Sequence, residues 1–189
     1  MTGSIPRPTA ASNVLVVVDV QDKLLAKIPA AESLVRSIAF LLDAAAMFGV
    51  PARATEQYPT GLGPTTAELA RRLPPDRPAK TAFSCAGAPG FLADLRGLAR
   101  PSVVLAGMET HVCVSQTALD LLDAGFAVFL PVDAVASRFA ADHDAALRRL
   151  ERAGAIPTSA EAVAFEWASD ASHPRFRDFS RLVISRVRV

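Results

Sequence analysis

Short runs of consecutive apolar residues alternate along the chain with longer segments in which apolar residues recur every three or four positions. Continuous β-branched runs are typical of strands buried on both faces of a parallel sheet, and the longer spacing is typical of amphipathic helices. The pattern predicts strands over residues 13–20, 50–55, 102–106 and 126–132, with 80–83 as a strand or an extended loop. It predicts helices over residues 30–48, 65–73, 91–98, 111–123, 142–153 and 158–167.

Strands that alternate with helices predict an α/β fold, in which helices cover both faces of a parallel sheet. A chain of 189 residues is long enough to bury one full core. No internal repeat or linker divides it, so we expect one domain over residues 1–189, with residues 1–13 as a loose N-terminal arm. The last predicted helix begins with a capping-box pattern, Thr158 followed three residues later by Glu161.

Composition excludes several classes of function. The formal net charge of +1 provides no field that would attract nucleic acid or an anionic membrane, and we expect neither as a partner. No apolar run has the length of a membrane span, and residues 1–13 lack the apolar core of a signal peptide. The two cysteines form no CxxC motif, which favours a cytoplasmic, reducing location.

The segment from Val103 to Gly125 contains the most informative cysteine. It predicts a buried strand, a glycine turn at Gly107 and a helix that opens around Cys113. Unpaired N–H groups and the positive end of the helix dipole favour a thiolate there, and hence a nucleophile. The alternative is that Cys113 is a small buried apolar residue, the commonest role of a lone cysteine. Position alone leaves both interpretations open.

Two further residues are predicted at the same edge of the sheet. Asp19 ends the first strand, and Lys80 begins an apolar segment in a chain whose basic residues are mostly arginine. The carboxyl ends of parallel strands gather chemistry, so Asp19, Lys80 and Cys113 together predict a nucleophilic site. Asp19 would accept the thiol proton, Lys80 would hold negative charge, and Cys113 would attack a carbonyl carbon. A structural carboxylate and a surface ammonium are the alternatives for each residue taken singly.

Five segments, from about residue 14 to residue 167, resemble the isochorismatase-like cysteine hydrolases. They are VLVVVDVQDKLL, ATEQYPTGLGPT, KTAFSCAG, VVLAGMETHVCVSQTALDLLDAGF and ALRRLERAGAIPTSAEAVAFEW. The chain is most similar to the branch whose members are mostly hydrolases of unassigned substrate. The resemblance implies a three-layer α/β/α sandwich around a six-stranded parallel sheet, and a catalytic triad of Asp19, Lys80 and Cys113.

The resemblance also implies a cis peptide bond between Met108 and Glu109. In such a site the N–H groups of Glu109 and Cys113 would form the oxyanion hole that stabilises a tetrahedral intermediate. Metal-using relatives, the nicotinamidases, carry an aspartate and histidines after the second strand, where this chain has Glu56, Gln57 and Tyr58. We therefore expect no metal and no cofactor, and nicotinamidase activity becomes less favoured. Isochorismatases themselves lack the cysteine, so Cys113 argues against vinyl-ether hydrolysis.

Other residues near these motifs receive weaker assignments. Gln21, Tyr58 and Phe83 are candidate substrate-pocket residues, with core packing as the alternative. His111 is expected to cap or pack near the helix start rather than form a Cys–His pair, because Asp19 already supplies a base. Cys85 lies in an apolar context and is expected to be inert packing.

The leading hypothesis is a cofactor-independent cysteine hydrolase that cleaves a small amide or related C–N bond through a thioester on Cys113. The alternative is a non-catalytic oligomeric or thiol-redox-sensing protein that retains the same site, since an exposed cysteine of low pKa oxidises readily. A dinucleotide-binding protein is disfavoured because DVQDKL, not GxGxxG, follows the first strand. We expect a small-molecule substrate and a homo-oligomer, a dimer or a tetramer.

Overall fold

A computed structural model describes residues 5–187, and within them seven parallel strands form one sheet. The strands are β1 (Asn13–Val18), β2 (Ala52–Gln57), β3 (Ala79–Lys80), β4 (Ser102–Met108), β5 (Ala127–Pro131), β6 (Val135–Ala136) and β7 (Ile156–Thr158). Their order is β3-β2-β1-β4-β5-β7, and the two-residue β6 pairs with the end of β4. The expected six-stranded parallel sheet is therefore present, with β6 as one short addition.

Helices cover both faces of this sheet, which gives the expected three layers. They are α1 (Asp22–Leu25), α2 (Ala31–Phe48), α3 (Pro59–Leu62), α4 (Ala67–Ala70), α5 (Phe91–Gly97), α6 (Ser115–Asp123), α7 (Ala140–Ala153), α8 (Ala160–Ala168) and α9 (Phe176–Val187). Two 3₁₀ turns, Cys85–Gly87 and Val132–Ala134, and a π turn, Thr110–Val114, complete the chain. Among the residues described, no helix is both long enough and apolar enough to cross a membrane.

The central strand β1 explains why the run NVLVVV predicts burial on both faces. Leu15 and Val17 point into a core shared with α2, α8 and α9, while Val14, Val16 and Val18 point into a second core with α5, α6 and α7. All six residues of β1 are buried. Parallel strands covered by helices on both sides need apolar residues at every position, not at alternate ones.

Gly107 allows β4 to approach β1 closely, next to the point where both strands end. Its φ is +122°, and a Cβ built on it would lie 2.3 Å from the Val18 carbonyl oxygen. Gly107 pairs with Val18 in the sheet register. Only a residue without a side chain fits this contact.

Several predicted boundaries differ from the structure by a few residues. The last helix of the pattern begins at Ala160, because Thr158 belongs to β7 and Ser159 is the N-cap, accepting a hydrogen bond from the Ala162 N–H. The first strand ends at Val18, since Asp19 turns into the left-handed region with φ 53°. Residues 5–12 of the predicted arm form no helix or strand, and residues 1–4 lie outside the described residues.

Candidate active site

The carboxyl edge of the sheet brings Asp19, Lys80 and Cys113 into one buried cluster. Asp19 follows β1, Lys80 ends β3, and Cys113 lies in the π turn after β4. Lys80 Nζ donates to Asp19 Oδ2 at 2.6 Å, and neither side chain has exposed surface. Cys113 is 7% exposed and close enough for both charges to act on its thiol. The cluster is thus a buried ion pair beside a thiol.

The Lys80 ammonium is completely hydrogen-bonded. Besides Asp19, it donates to Gln57 Oε1 at 2.6 Å, to the Phe83 carbonyl at 2.9 Å and to the Ala82 carbonyl at 3.2 Å. An ammonium has three N–H groups, so these acceptors use all of them. Such partners offset the cost of burying a charge. Lys80 is therefore held by the loop that follows it and by β2.

Asp19 is held by Thr55, which our sequence analysis missed. Thr55 Oγ1 donates to Asp19 Oδ1 at 2.8 Å, and the Asp19 N–H donates to the Thr55 carbonyl at 3.3 Å. Thr55 and Gln57 alternate along β2, so both side chains face the cluster, one toward each member of the ion pair. The only sequence signal for them is this spacing of two in the segment TEQ.

Gln21 holds the backbone of Gln57 through hydrogen bonds. Its amide oxygen accepts from the Gln57 N–H at 2.8 Å, and its amide nitrogen donates to the Gln57 carbonyl at 3.0 Å and to the Gly63 carbonyl. Gln21 is fully buried. Both ends of the side chain are bound to backbone, so Gln21 links the loop after β1 to the end of β2.

Cys113 lies within a single π turn that leads into α6. The Val114 N–H donates to the Glu109 carbonyl at 3.1 Å, five residues back, and Ser115 Oγ donates to the Thr110 carbonyl at 2.6 Å. The preceding peptide bond, between Met108 and Glu109, is cis. Single π turns occur frequently at functional sites, because they redirect a side chain within a helix.

Comparison with known proteins shows the family of this chain. The family model described as the isochorismatase domain matches residues 13–162. The chain belongs to the isochorismatase family. Isochorismatase domain-containing protein 2 of Bos taurus is 40% identical over 181 residues, which cover 95% of this chain and 87% of that protein. Isochorismatase domain-containing protein 1 of Salmo salar is 42% identical over 149 residues, 76% of this chain and 50% of that protein.

Solved structures of isochorismatase-like proteins share the fold over nearly the whole chain. The MAR1 ribonuclease of Caenorhabditis elegans has a TM-score of 0.88 and 36% identity, covering 95% of this chain and 93% of that one. The YcaC gene product of Escherichia coli, described as an octameric hydrolase of unknown specificity, has a TM-score of 0.83 and 25% identity, covering 98% of each chain. The isochorismatase-like family to which this chain belongs is a family of hydrolases.

In this isochorismatase-family protein, the nucleophile candidate Cys113 holds its proton at rest. Burial, followed by the negative charge of Asp19, raises the pKa of Cys113 to about 12, although the Lys80 ammonium acts in the opposite direction. The expectation that the helix start favours a thiolate is therefore wrong for the resting site. A buried thiol of high pKa also lacks the exposure and the low pKa on which the redox-sensing alternative depends.

Cys85 has more contact with the site than inert packing implies. Its sulfur lies 3.2 Å from Thr55 Oγ1, and its N–H donates to Thr117 Oγ1 at 2.9 Å. Thr117 lies one helical turn after Cys113, which brings the two cysteines to the same side of α6. Burial, followed by the charge of Asp19, raises the pKa of Cys85 to about 11.

The π turn of this isochorismatase-family protein is held from outside by residues 137–143. Arg138 Nε donates to Glu109 Oε1 at 2.8 Å. His111 Nδ1 lies 3.0 Å from Ser137 Oγ, and Thr110 and His143 are likewise paired at 3.0 Å. The His111 ring is thus engaged by Ser137 and packs at the helix start. In the described part of the chain, no cluster of three or more His, Cys, Asp or Glu residues has an arrangement suited to a metal ion.

Tyr58 and Phe83 are surface residues near Lys80. Tyr58 is 55% exposed and Phe83 52% exposed. A cavity of about 370 Å³ lies between Tyr58 and the loop after β3. Its lining residues are Tyr58, Pro59, Thr60, Ala79, Lys80, Thr81, Gly87 and Pro89. A space of this size is within the usual range for small-molecule sites.

Proposed function

We propose that this protein is a cofactor-independent cysteine hydrolase that cleaves a small amide or related C–N bond through a thioester on Cys113. The observation that carries the proposal is the buried Asp19–Lys80 ion pair beside a thiol that keeps its proton. A protonated nucleophile needs a base in contact with it at the moment of attack, and Asp19 is the carboxylate in that position.

The geometry supports the following sequence of steps. As the Cys113 sulfur attacks the carbonyl carbon, Asp19 accepts the thiol proton, and the carbonyl electrons move to oxygen. The N–H groups of Glu109 and Cys113 stabilise this oxyanion, a contribution worth about 3 kcal/mol per donor. The C–N bond then breaks, and Asp19 returns the proton to the leaving amine. Water, deprotonated by Asp19, cleaves the thioester and restores the thiol.

Lys80 supports this chemistry as a fixed positive charge. Asp19 is negative at rest and neutral after it accepts the proton, while the negative charge moves toward the substrate oxygen. Lys80 keeps its acceptors throughout, so no part of the site has to reorganise when the charge moves. The cavity beside Tyr58 is lined by Lys80 but not by Asp19, Cys113 or Phe83. We therefore propose Tyr58 and Phe83 as exposed residues next to the substrate site, and Gln21 as acting indirectly by holding Gln57.

A second candidate function comes from the name of the nematode relative, a ribonuclease. RNA cleavage needs donors that neutralise a phosphate, as well as a base. The ammonium of Lys80 is engaged by four acceptors in this structure. Acyl transfer needs only the thiol, one carboxylate and backbone donors, and is therefore the function that the site supports best.

The protein is further proposed to act as a homo-oligomer, a dimer or a tetramer, in a reducing compartment such as the cytoplasm. Large apolar side chains on the surface support assembly, among them Phe83, Phe139 and Ile184, which are 52%, 64% and 50% exposed. The relative YcaC is described as octameric. Both cysteines are free thiols.

The test is hydrolysis of a panel of small amides by wild type, C113A and C113S, with RNA as a parallel substrate. We expect at least one amide to be cleaved, and C113A to lose about 10³-fold or more of the rate while its melting temperature changes little. C113S keeps the shape of the side chain but not its nucleophilicity, and should also be inactive. Amide cleavage that survives in C113A, or cleavage of RNA but of no amide, with the RNA cleavage lost in C113A, would contradict the proposal.

A further inference from the structure

Two different residues bind the two oxygens of the Asp19 carboxylate. Lys80 donates to Oδ2 at 2.6 Å, and Thr55 donates to Oδ1 at 2.8 Å. The backbone carbonyl of Thr55 also accepts a hydrogen bond from the Asp19 backbone N–H at 3.3 Å, and both residues are fully buried. Rotation of the carboxylate would break at least one of these bonds. Thr55 therefore fixes the direction in which Asp19 points, at a residue whose left-handed backbone has already left the strand.

The proton on Thr55 can point in only one direction. An ionised carboxylate only accepts hydrogen bonds, so the single hydroxyl proton of Thr55 is directed at Asp19. Cys85 Sγ lies 3.2 Å from Thr55 Oγ1. Because the pKa of the Cys85 thiol is raised to about 11, this thiol carries its proton at neutral pH. Cys85 is then the donor to Thr55, and Thr55 is the donor to Asp19. Hydrogen bonds in one direction polarise each other, which strengthens the bond to the carboxylate.

We propose that Thr55, oriented by the Cys85 thiol, is a positioning residue that keeps Asp19 ionised and aimed as the base for Cys113. The inference rests on the proposed function, since it requires Asp19 to accept the Cys113 proton. The Thr55 hydrogen bond stabilises the carboxylate more than the neutral acid. Loss of the Thr55 hydroxyl would therefore favour the neutral acid, which cannot accept the Cys113 proton.

A purely structural role for Thr55 gives a different expectation. A buried threonine that only packs would, when replaced, lower stability and slow acylation by one factor at every pH. A positioning residue instead changes the pH at which the base becomes available. The pH dependence of acylation therefore distinguishes the two roles.

The probe is 4-nitrophenyl acetate, an activated ester whose leaving group needs no added proton. The Cys113 sulfur forms a C–S bond to the acetyl carbon, the ester C–O bond breaks, and 4-nitrophenolate leaves with the electron pair. The thiol proton passes to Asp19 and then to solvent. Release of 4-nitrophenolate is followed between about pH 5 and pH 8, so the measurement isolates the base. Wild type, T55V, T55S, C85A and D19N are compared, and the rate of C113A is subtracted as background.

We expect T55V, which keeps the shape but loses the hydroxyl, to acylate about tenfold more slowly at the acidic end and to approach wild type at the alkaline end. Its acidic limb thus moves to higher pH. T55S retains the hydroxyl and should return the limb to its wild-type position. C85A removes the donor to Thr55 and should move the limb in the same direction by a smaller amount, about twofold to threefold in rate. Melting temperatures identify any variant that fails to fold. If T55V fails to fold, the acidic limb of C85A is used as the test instead.

The positioning role would be overturned if the acidic limb of T55V stays where it is in wild type, or if T55V is slower by the same factor at every pH. If D19N no longer acylates in the same experiment, the proposed function is left intact. If T55V fails to fold, a wild-type acidic limb in C85A would overturn the positioning role. D19N that acylates as fast as wild type at the acidic end, where the Cys113 thiol keeps its proton and needs a base, would instead contradict the proposed function itself.

Discussion

The protonation state of Cys113 depends on its immediate neighbours more than on its place at a helix start. Burial is the largest cause of its raised pKa, the charge of Asp19 adds to it, and Lys80 opposes it. Backbone dipoles at a helix end typically contribute a fraction of a kcal/mol, which is less than one pKa unit. Full burial shifts the pKa of a group by several units. The nucleophile is therefore produced during the attack, when Asp19 takes the proton.

Replacing Asp19 with Asn should separate ionisation of the thiol from turnover. The substitution removes a negative charge and leaves the Lys80 ammonium, so the pKa of Cys113 falls. Labelling of Cys113 by iodoacetamide, followed by peptide mass spectrometry, should become faster in D19N near pH 9, while amide hydrolysis falls by about 10²–10⁴-fold. The melting temperature of D19N is the control for unfolding, because Asp19 also raises the pKa of Cys85.

Two results would contradict this account of the residue. Slower labelling of Cys113 in D19N would mean that Asp19 does not oppose its ionisation. Hydrolysis by D19N at the wild-type rate would mean that Asp19 is not the base.

Single residues were predictable from the sequence where they end a predicted strand or begin a helix. Asp19 and Cys113 are of this kind, and Lys80 is unusual in an arginine-rich chain. Thr55 was not predictable, because its role depends on the register that places it opposite Val18, next to Asp19. The pKa of Cys113 was not predictable either, because burial is a property of the folded molecule.

At the scale of secondary structure, long apolar runs predicted their elements well. β1, β4 and α2 each contain six or more residues, and their patterns are unambiguous. β6 and β7 contain two and three residues, too few for any periodicity, and the sequence did not indicate them. The assignment of Thr158 as the helix cap is wrong. Thr158 and Ser159 are adjacent residues that can both cap a helix, and the structure uses Ser159.

The junction of β1 and β4 should be the element most sensitive to a single methyl group. In G107A the added Cβ would meet the Val18 backbone at 2.3 Å, in a conformation with φ +122°. We expect a loss of about 3 kcal/mol in the free energy of unfolding, measured by urea denaturation. Gly97 in α5 is the matched control, because a Cβ there has no neighbour within 4 Å. G97A should be neutral or stabilising by up to about 1 kcal/mol, and equal losses in the two variants would contradict the proposed close contact.

On the scale of the whole molecule, the site is a polar cluster sealed within the second apolar core. Cys85 and Cys113 both belong to that core, together with Val18. Burial of two thiols links chemistry to stability, because folding raises the pKa of each thiol. The pKa values of about 11 for Cys85 and about 12 for Cys113 exceed the ordinary thiol value of 9.0.

The stability of the folded protein therefore falls as the pH rises above the pKa of an unfolded thiol. A thiol whose pKa is raised by folding contributes its full stability below the unfolded pKa and loses it as the pH rises toward the folded pKa. Between about pH 9 and pH 11, each thiol should lower the free energy of unfolding by up to about 1.4 kcal/mol per pH unit. Urea denaturation of wild type and C85A at several pH values measures the difference between them, which removes the contribution of other groups. Wild type should lose stability relative to C85A as the pH rises, and a constant difference would contradict burial of a neutral thiol.

The most direct test of the central claim is the mass of the Cys113 peptide during turnover. An amide from the hydrolysis panel is mixed with enzyme, quenched in acid within the first turnovers and digested, and the peptide is examined by mass spectrometry. The account predicts an acyl group on Cys113 in wild type, none on Cys85, and none on Cys113 in D19N. Product formation with no acyl group on Cys113 at any quench time, or equal acylation of Cys113 in D19N, would contradict it.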